Sequence, residues 1–133
     1  MTRLSEFFTL DEMVASDVAR AQGIDNTPGD DVVRELAHMC LTGLDPIRRV
    51  LGFPMNVTSG YRCARLNAAV GGSPTSDHMK GLACDFVSPG AGTPLAICHE
   101  IAASDIPFDQ LIHEGSWVHV GFGPGMRRQK MGF

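Results

Sequence analysis

Two histidines and one aspartate in this sequence have the types and surroundings of metal ligands. His78 and Asp85 lie seven positions apart, and Gly81 between them interrupts any helix, which predicts a loop at His78 and a strand at Asp85. A carboxylate in so apolar a strand is costly unless it is paired or binds a metal. His119 lies in a second apolar strand. Two histidines and one carboxylate match a catalytic zinc site, which leaves a fourth position open for water, whereas an ion-paired structural aspartate would fit the same local sequence.

A candidate general base lies next to a predicted hairpin turn at Gly115-Ser116, where glycine suits the first position of a type II′ turn. Such a turn pairs Ile112 with His119, and Glu114 shares their face because strand side chains alternate between faces. Glu114 is then a diagonal neighbour of His119 at roughly 7–8 Å, a distance that suits a carboxylate acting on a zinc-bound water. His113 falls on the opposite face and is not expected to bind the metal.

Arg62 follows a short predicted strand, Met55 to Thr58, which ends at Ser59-Gly60. A guanidinium at a strand end can bind a carboxylate through two hydrogen bonds or stabilise a developing oxyanion. An exposed surface arginine would fit the same sequence, since most arginines are exposed.

Helix and strand signals along the chain predict an α+β fold, with helices packed on a small, mainly antiparallel sheet. A capping box from Thr9 to Glu12 begins a short helix that ends before Gly23. Thr27-Pro28 is predicted to begin a second helix, which Pro46 should kink or split. Further short helices are predicted over residues 63–70 and 94–103, and strands over 83–87, 110–114 and 117–122. We expect one domain over 1–133, helical over about 1–53, with a zinc-site core over about 54–123 and a loop-like basic tail.

Composition excludes several classes of protein. The net charge of −4 at pH 7 argues against a nucleic-acid partner, which would favour a basic patch. The sequence contains no run of ~20 apolar residues, so no membrane-spanning segment is predicted. The first residues also lack the apolar region of a signal peptide. We therefore expect cytoplasmic synthesis of a monomer without a signal peptide. The four cysteines form no C-x-x-C pair, so they are predicted to be reduced and mostly buried.

The motifs together resemble one family of zinc enzymes. The segment Ser76-x-His78-x-x-Gly81-x-Ala83-x-Asp85, followed by Trp117-x-His119, resembles the zinc-binding signature of the M15 metallopeptidases. That family includes D-Ala-D-Ala carboxypeptidases and peptidoglycan endopeptidases such as phage endolysins. Three further segments resemble its M15A branch, namely Thr58-Ser59-Gly60-Tyr61-Arg62, Leu66-Asn67-x-x-Val70-Gly71-Gly72-Ser73 and Phe108-Asp109-Gln110-Leu111-Ile112.

The resemblance implies a Hedgehog/DD-peptidase-like fold with Zn²⁺ bound by His78, Asp85 and His119. It also implies that Arg62 binds substrate or stabilises the transition state, and that Ser76 lines the substrate site. Two aromatic residues of the matching segments are assigned to substrate binding with it, Tyr61 and Trp117.

One position departs from the family pattern. Several M15 relatives carry the catalytic acid three residues before the last histidine, where this chain has Ser116. A serine cannot act as a general base unaided, so Glu114 is the candidate on hairpin grounds and Asp109 is the alternative.

The predicted function is zinc-dependent hydrolysis of a peptide bond in the peptidoglycan stem peptide, as a D,D-carboxypeptidase or endopeptidase of the phage or prophage type. The stem peptides are the expected partner, reached after release through a holin-like or other lysis route, or from a virion. The alternative is a Hedgehog-like zinc-containing module with a binding or structural role in a virion and no peptidase activity. A free D-Ala-D-Ala dipeptidase or an L-alanyl-D-glutamate endopeptidase would share the same site.

Overall fold

The computed structural model describes residues 2–133, and its first part is helical. Helix α1, Leu10–Val14, begins with the predicted capping box, since Thr9 accepts from the Glu12 backbone N–H and the Glu12 side chain accepts from the Thr9 N–H. The prediction of one helix before Gly23 is wrong. Ser16 acts as a second N-cap by accepting from the backbone N–H of Ala19, so a separate helix α2 spans Asp17–Gln22.

The longest helical stretch has three parts: α3 over Asp30–Met39, a π-helical turn over Cys40–Leu44 and α4 over Asp45–Leu51. Its predicted start at Thr27-Pro28 is wrong, because the Thr27 N–H instead donates to the Asp25 carboxylate and Gly29 forms the N-cap. The predicted disruption at Pro46 takes the form of the π-helical turn just before it. Proline has no N–H for the usual helical bond, and a widened turn accommodates this gap.

Five strands form a mixed sheet in the order β1-β2-β4-β3-β5. Their bounds are Asn56–Ser59 for β1, Ala83–Val87 for β2, Gln110–His113 for β3, Val118–Gly121 for β4 and Gln129–Met131 for β5. Three of the four neighbouring pairs are antiparallel, and β5 pairs with β3 in parallel. The tail was predicted to be a loop, and β5 corrects that prediction. The α+β class with a small sheet and packed helices is confirmed, and the Hedgehog-like fold stays a prediction.

Two further α-helices and one 3₁₀ turn connect the strands. Helix α5 spans Ala64–Ala69, the 3₁₀ turn spans Asp77–Lys80 and helix α6 spans Pro94–Ala103. Thr93 is the N-cap of α6, and Pro94 takes its first position, as the sequence predicts. Helix α6 packs on β3, β4 and α4, which covers one face of the sheet.

Side chains along β2 and β4 point alternately to the two faces of the sheet, one facing the core and the other facing the candidate site. Cys84, Phe86, Val118 and Val120 are fully buried against the helices. The residues between them, including Asp85 and His119, therefore lie on the opposite face. One cluster of buried apolar residues joins the N-terminal helices to the sheet, although the single-domain boundaries stay a prediction.

Within residues 2–133, no helix combines the length and the apolar character needed to cross a membrane.

Candidate metal centre and its cavity

His78 lies in the 3₁₀ turn with only 2% of its side chain exposed. Ser76 caps this turn, since its hydroxyl accepts from the His78 backbone N–H, and Gly81 ends it with a φ of +74°. Nδ1 of His78 lies 2.7 Å from the carbonyl oxygen of Gly60. A carbonyl can only accept, so Nδ1 carries the proton and Nε2 has a free lone pair. Nε2 is buried without a hydrogen-bond partner, as is expected of a metal ligand.

Asp85 and His119 face each other across the β2–β4 pair. Asp85 Oδ1 lies 2.8 Å from Nδ1 of His119 and 3.4 Å from Nε2 of His78. The three ligand atoms all lie within 4.8 Å of one another. Bonds of about 2.0–2.1 Å in a tetrahedral zinc site place ligand atoms roughly 3.3 Å apart. The three side chains therefore fit a zinc ion with small side-chain adjustments.

The Asp85 carboxylate is held in its charged form. Burial by itself would raise its pKa, but the hydrogen bond with His119 and the interactions with both neighbouring histidines outweigh burial and lower the pKa to about 2. The neighbouring Cys84 points into the core, where burial raises the pKa of its thiol well above the usual value. Cys84 is therefore a neutral core residue, and the carboxylate beside it is the candidate ligand.

The Gly60 carbonyl that orients His78 is fixed by helix α1. The Tyr61 N–H donates to the Met13 carbonyl at 2.7 Å. A side chain at Gly60 would have its Cβ 2.9 Å from Met13 Cα and closer still to the Met13 oxygen. Glycine is therefore required where the strand end meets the helix. A hydrogen-bond partner of this kind fixes the orientation of a metal-binding histidine and also affects how tightly the metal binds.

Asn26 holds the same strand end from a second side, and the sequence analysis missed it. Its side-chain nitrogen donates to the carbonyls of Val14 and Tyr61, both at 3.0 Å, and its oxygen accepts from the Cys63 N–H at 2.8 Å. All of the polar atoms of this 9% exposed side chain are thus used between three chain segments. A lone asparagine in a loop carries no periodicity or motif that would have identified it.

Arg62 lies between this buried network and the metal centre. Its backbone N–H donates to the His78 carbonyl at 3.1 Å, and its Nη1 donates to Asn67 Oδ1 at 3.2 Å. Its Nε is buried without a partner. Burial lowers the pKa of Arg62, and the Asp85 carboxylate partly offsets that effect. A positive group with an unused donor near the metal centre can bind a carboxylate or an oxyanion.

A cavity of about 690 Å³ opens over the metal centre. Its lining includes all three candidate ligands together with Arg62, Glu114 and Ser76. Trp117 lies between this cavity and a neighbouring one of about 370 Å³, to which Arg62 also contributes. Tyr61 lines only the neighbouring cavity, so it is one step farther from the metal centre than the other predicted substrate-binding residues.

The hairpin that carries Glu114 has the predicted register. Ile112 pairs with His119, and the Glu114 N–H donates to the Trp117 carbonyl at 3.0 Å. Gly115 has a φ of +89°, as the first position of a type II′ turn requires. Glu114 is exposed at the cavity wall. His113 lies on the other face, with Nδ1 3.2 Å from the Gly132 carbonyl oxygen.

Asp109, the alternative base, is engaged elsewhere. It is 5% exposed, and its two carboxylate oxygens accept from Nε and Nη2 of Arg127 at 2.9 and 3.0 Å. Hydrogen bonds from Arg127 lower its pKa, against the smaller opposing effect of burial. A carboxylate committed to an arginine is a poor proton acceptor, so this arrangement favours Glu114. Arg127 itself lines the cavity, although the sequence suggested no role for it.

The family assignment agrees with this geometry. A family model described as Peptidase M15 matches residues 6–121, a span that contains all three candidate ligands. A search of curated proteins finds no match. M15 peptidases are typically zinc-dependent, which agrees with the His78, Asp85 and His119 set. The chain belongs to the peptidase M15 family.

Proposed function

We propose that this protein is a zinc metallopeptidase that hydrolyses a D,D or L,D peptide bond in the stem peptide of peptidoglycan, as a phage-type wall-lysis enzyme. The observation that carries the proposal is the buried, unpartnered Nε2 of His78, which lies beside Asp85 and His119. The same cavity presents a free carboxylate, Glu114, and a guanidinium, Arg62. A metal set, a base and an oxyanion donor are the parts that peptide hydrolysis needs.

The side chains divide the chemistry between them. His78, Asp85 and His119 would hold a zinc ion, which would supply Lewis acidity toward a peptide carbonyl and lower the pKa of a bound water toward 7. Glu114 accepts the proton of the attacking water and returns it to the leaving amine. Arg62 donates to the oxyanion that forms on the carbonyl, since its Nε has no competing partner. Gly60 keeps the His78 ring oriented throughout, through the bond at Nδ1.

Substrate binding is proposed for residues on either side of the metal centre. Ser76 lies in the cavity lining next to His78, and Trp117 is 37% exposed between the two cavities. An exposed aromatic ring beside a polar cleft supports an extended peptide better than a small free amino acid. Tyr61 then contacts the part of the peptide that reaches the neighbouring cavity.

Glu114→Gln tests the enzyme proposal directly. The glutamine keeps the size of the side chain but cannot accept a proton, so hydrolysis should fall by roughly 10²–10⁴-fold. Zinc content should stay near one per chain, because Glu114 is not a ligand. Purified peptidoglycan fragments are incubated with each protein, and the products are identified by mass spectrometry, which also distinguishes carboxypeptidase from endopeptidase cleavage. Glu100→Gln on helix α6, also exposed, is the matched control and should cleave like the wild type.

The alternative function is a zinc-containing binding or structural module. Ser116 favours it, since several M15 relatives have a catalytic acid at this position. A wild-type protein that holds one zinc and cleaves no fragment would support this alternative. Full activity of Glu114→Gln together with an inactive Asp109→Asn would instead move the base to Asp109.

A further inference from the structure

Arg127 forms a second positive group at the wall of the metal-centre cavity. It follows β4 on the tail that leads to β5, beyond the residues 6–121 matched by the family model. Its side chain is 57% exposed, whereas its partner Asp109 is almost fully buried. Asp109 therefore acts as a fixed anchor that holds the Arg127 guanidinium in one orientation.

The bonds to Asp109 leave one edge of the guanidinium unused. Of the five N–H donors of an arginine, the Asp109 carboxylate takes one from Nε and one from Nη2. The remaining three are on Nη1 and Nη2, and two of them form a parallel pair that matches the two oxygens of a second carboxylate. An anchored guanidinium loses little rotamer freedom when such a ligand binds.

The two cavity arginines come from opposite edges of the sheet. Arg62 follows β1 at one edge, and Arg127 precedes β5 at the other, with the metal ligands Asp85 and His119 on the strands between. Four strand-to-strand steps of about 4.8 Å separate the edges by roughly 19 Å. An extended peptide advances about 3.3 Å per residue, and both arginine side chains reach inward. The Arg127 guanidinium binds Asp109 beside β3, one strand in from the edge, so a peptide of about five residues, roughly 17 Å long, is long enough to contact both.

The charges around Arg127 are balanced. Asp109 offsets its charge, and nearby Asp77 lies 4.0 Å from Lys80. Asp77 also acts on Arg127 and helps to raise its pKa, after the larger effects of Asp109. Without a net positive field, this end of the cavity selects ligands by hydrogen-bond geometry. A carboxylate with two parallel acceptors fits the free edge better than a single carbonyl.

We propose that Arg127 is a specificity-determining residue that binds a carboxylate of the peptide substrate, several residues away from the carbonyl whose oxyanion Arg62 stabilises. This inference rests on the proposed peptidase function. It names the recognised group as a free carboxylate of the peptide that lies away from the bond to be cleaved, and a glutamate joined through its side chain serves as the probe.

The test uses two synthetic pentapeptides that differ at one group. Each contains a glutamate joined through its side chain, with the remaining carboxyl group either free or present as the carboxamide. The wild type should cleave the free acid with a kcat/KM roughly tenfold higher, mostly through KM, because a charge-assisted pair is lost in the amide. Arg127→Gln should bring the ratio of the two substrates near one while kcat for the amide stays within about threefold.

Three variants separate recognition from stability. Arg127→Lys keeps the charge without the parallel donors and should recover little of the preference. Asp109→Asn should weaken the preference by loosening the anchor. Arg34→Gln, an exposed position on α3 outside the cavity lining, should leave the ratio unchanged. A purely structural role for Arg127 would lower the unfolding temperature and the rates for both peptides equally, without moving their ratio.

The outcomes also distinguish this inference from the proposed function. An acid preference that persists in Arg127→Gln, or a wild type that treats both peptides alike, would overturn the role of Arg127 while leaving the peptidase intact. If the wild type cleaves neither peptide and no wall fragment, the peptidase proposal fails. Calorimetric titration of the two peptides into zinc-loaded wild type and Arg127→Gln then decides whether the carboxylate is recognised.

Discussion

The two ends of the cavity are built in opposite ways. At the Arg62 end, buried and partly buried hydrogen bonds to the carbonyls of Met13 and Gly60, together with those of the Asn26 side chain, join helix α1, a loop and the end of β1. At the Arg127 end, the ion pair with Asp109 is half-exposed, and backbone hydrogen bonds from Arg128 and Gln129 also hold the tail beside β3. Water can replace a lost bond at the second end but not at the first. Removing one partner of a buried hydrogen bond therefore costs more stability than removing one partner of an exposed bond.

This difference in burial matches the two proposed roles. The Arg62 end orients a metal ligand for the reaction, and the Arg127 end selects the substrate. The orientation of a metal ligand tolerates errors of only about 0.5 Å, so it depends on rigid, buried neighbours. Selection of a distant substrate group tolerates more, and an anchored surface arginine suffices for it. Four substitutions test this contrast, in order of decreasing expected effect.

His78→Ala should have the largest effect. It removes a buried ligand and leaves two, so zinc content should fall from about one per chain to a small fraction, with hydrolysis lost as a result. Metal analysis after dialysis measures the occupancy. His113→Ala, on the outer face of the hairpin, is the control and should keep its zinc. Full zinc retention in His78→Ala would refute the ligand set.

Gly60→Ala should be nearly as severe although it touches no metal. The added methyl group meets the Met13 backbone, and overpacking against backbone should cost about 3 kcal/mol in the free energy of unfolding. The displaced carbonyl should also weaken zinc binding by roughly 10–100-fold. Urea unfolding and a zinc competition titration measure the two effects. Gly29→Ala, whose Cβ would meet only the Asp31 side-chain oxygen at 3.1 Å, should change both far less.

Asn26→Ala removes three hydrogen bonds from partly buried backbone groups. We expect the free energy of unfolding to fall by about 2–3 kcal/mol, because the partners lose their bonds away from water. The exposed Asn56→Ala on β1 is the control and should lie within about 0.5 kcal/mol of the wild type. If both variants unfold at the same urea concentration, the hydrogen bonds of Asn26 do not stabilise the Arg62 end.

Met126→Gly, in the tail beside Arg127, should have the smallest effect. Met126 has a φ of +43°, a conformation that costs a non-glycine residue about 1–2 kcal/mol. Glycine relieves this strain but adds freedom to the unfolded chain. The free energy of unfolding should therefore stay constant or rise by less than about 1 kcal/mol in thermal melts. A clear destabilisation would mean that the tail is held as tightly as the Arg62 end.

Much of the site could be predicted because its signals are local. The hairpin register that brings Glu114 to the face of His119 follows from one glycine and a two-residue turn. The capping box at Thr9 and the strand around Asp85 follow in the same way from short patterns. Each of these predictions needed only the spacing of neighbouring residues.

The remaining features depend on contacts between distant segments. Asn26 acts on residues more than thirty positions later, and β5 forms only because β3 has a free edge for it. The three residues Gln129–Met131 are exposed and show no alternation of apolar and polar residues, so the sequence carries no signal for this strand. The role of Arg127 likewise becomes visible only when Asp109 is seen to anchor it.

The short strand β5 also has a consequence for how the molecule behaves at high concentration. The unpaired edge of a sheet can recruit a strand from another molecule, which leads to aggregation. Here the outer strand on one side has three residues with Lys130 at its centre, and the outer strand on the other side, β1, is short and mostly polar. Both features discourage pairing between copies. We therefore expect the protein to stay monomeric in concentrated solution. A substitution that removes the charge of Lys130 should be among the first changes to promote aggregation.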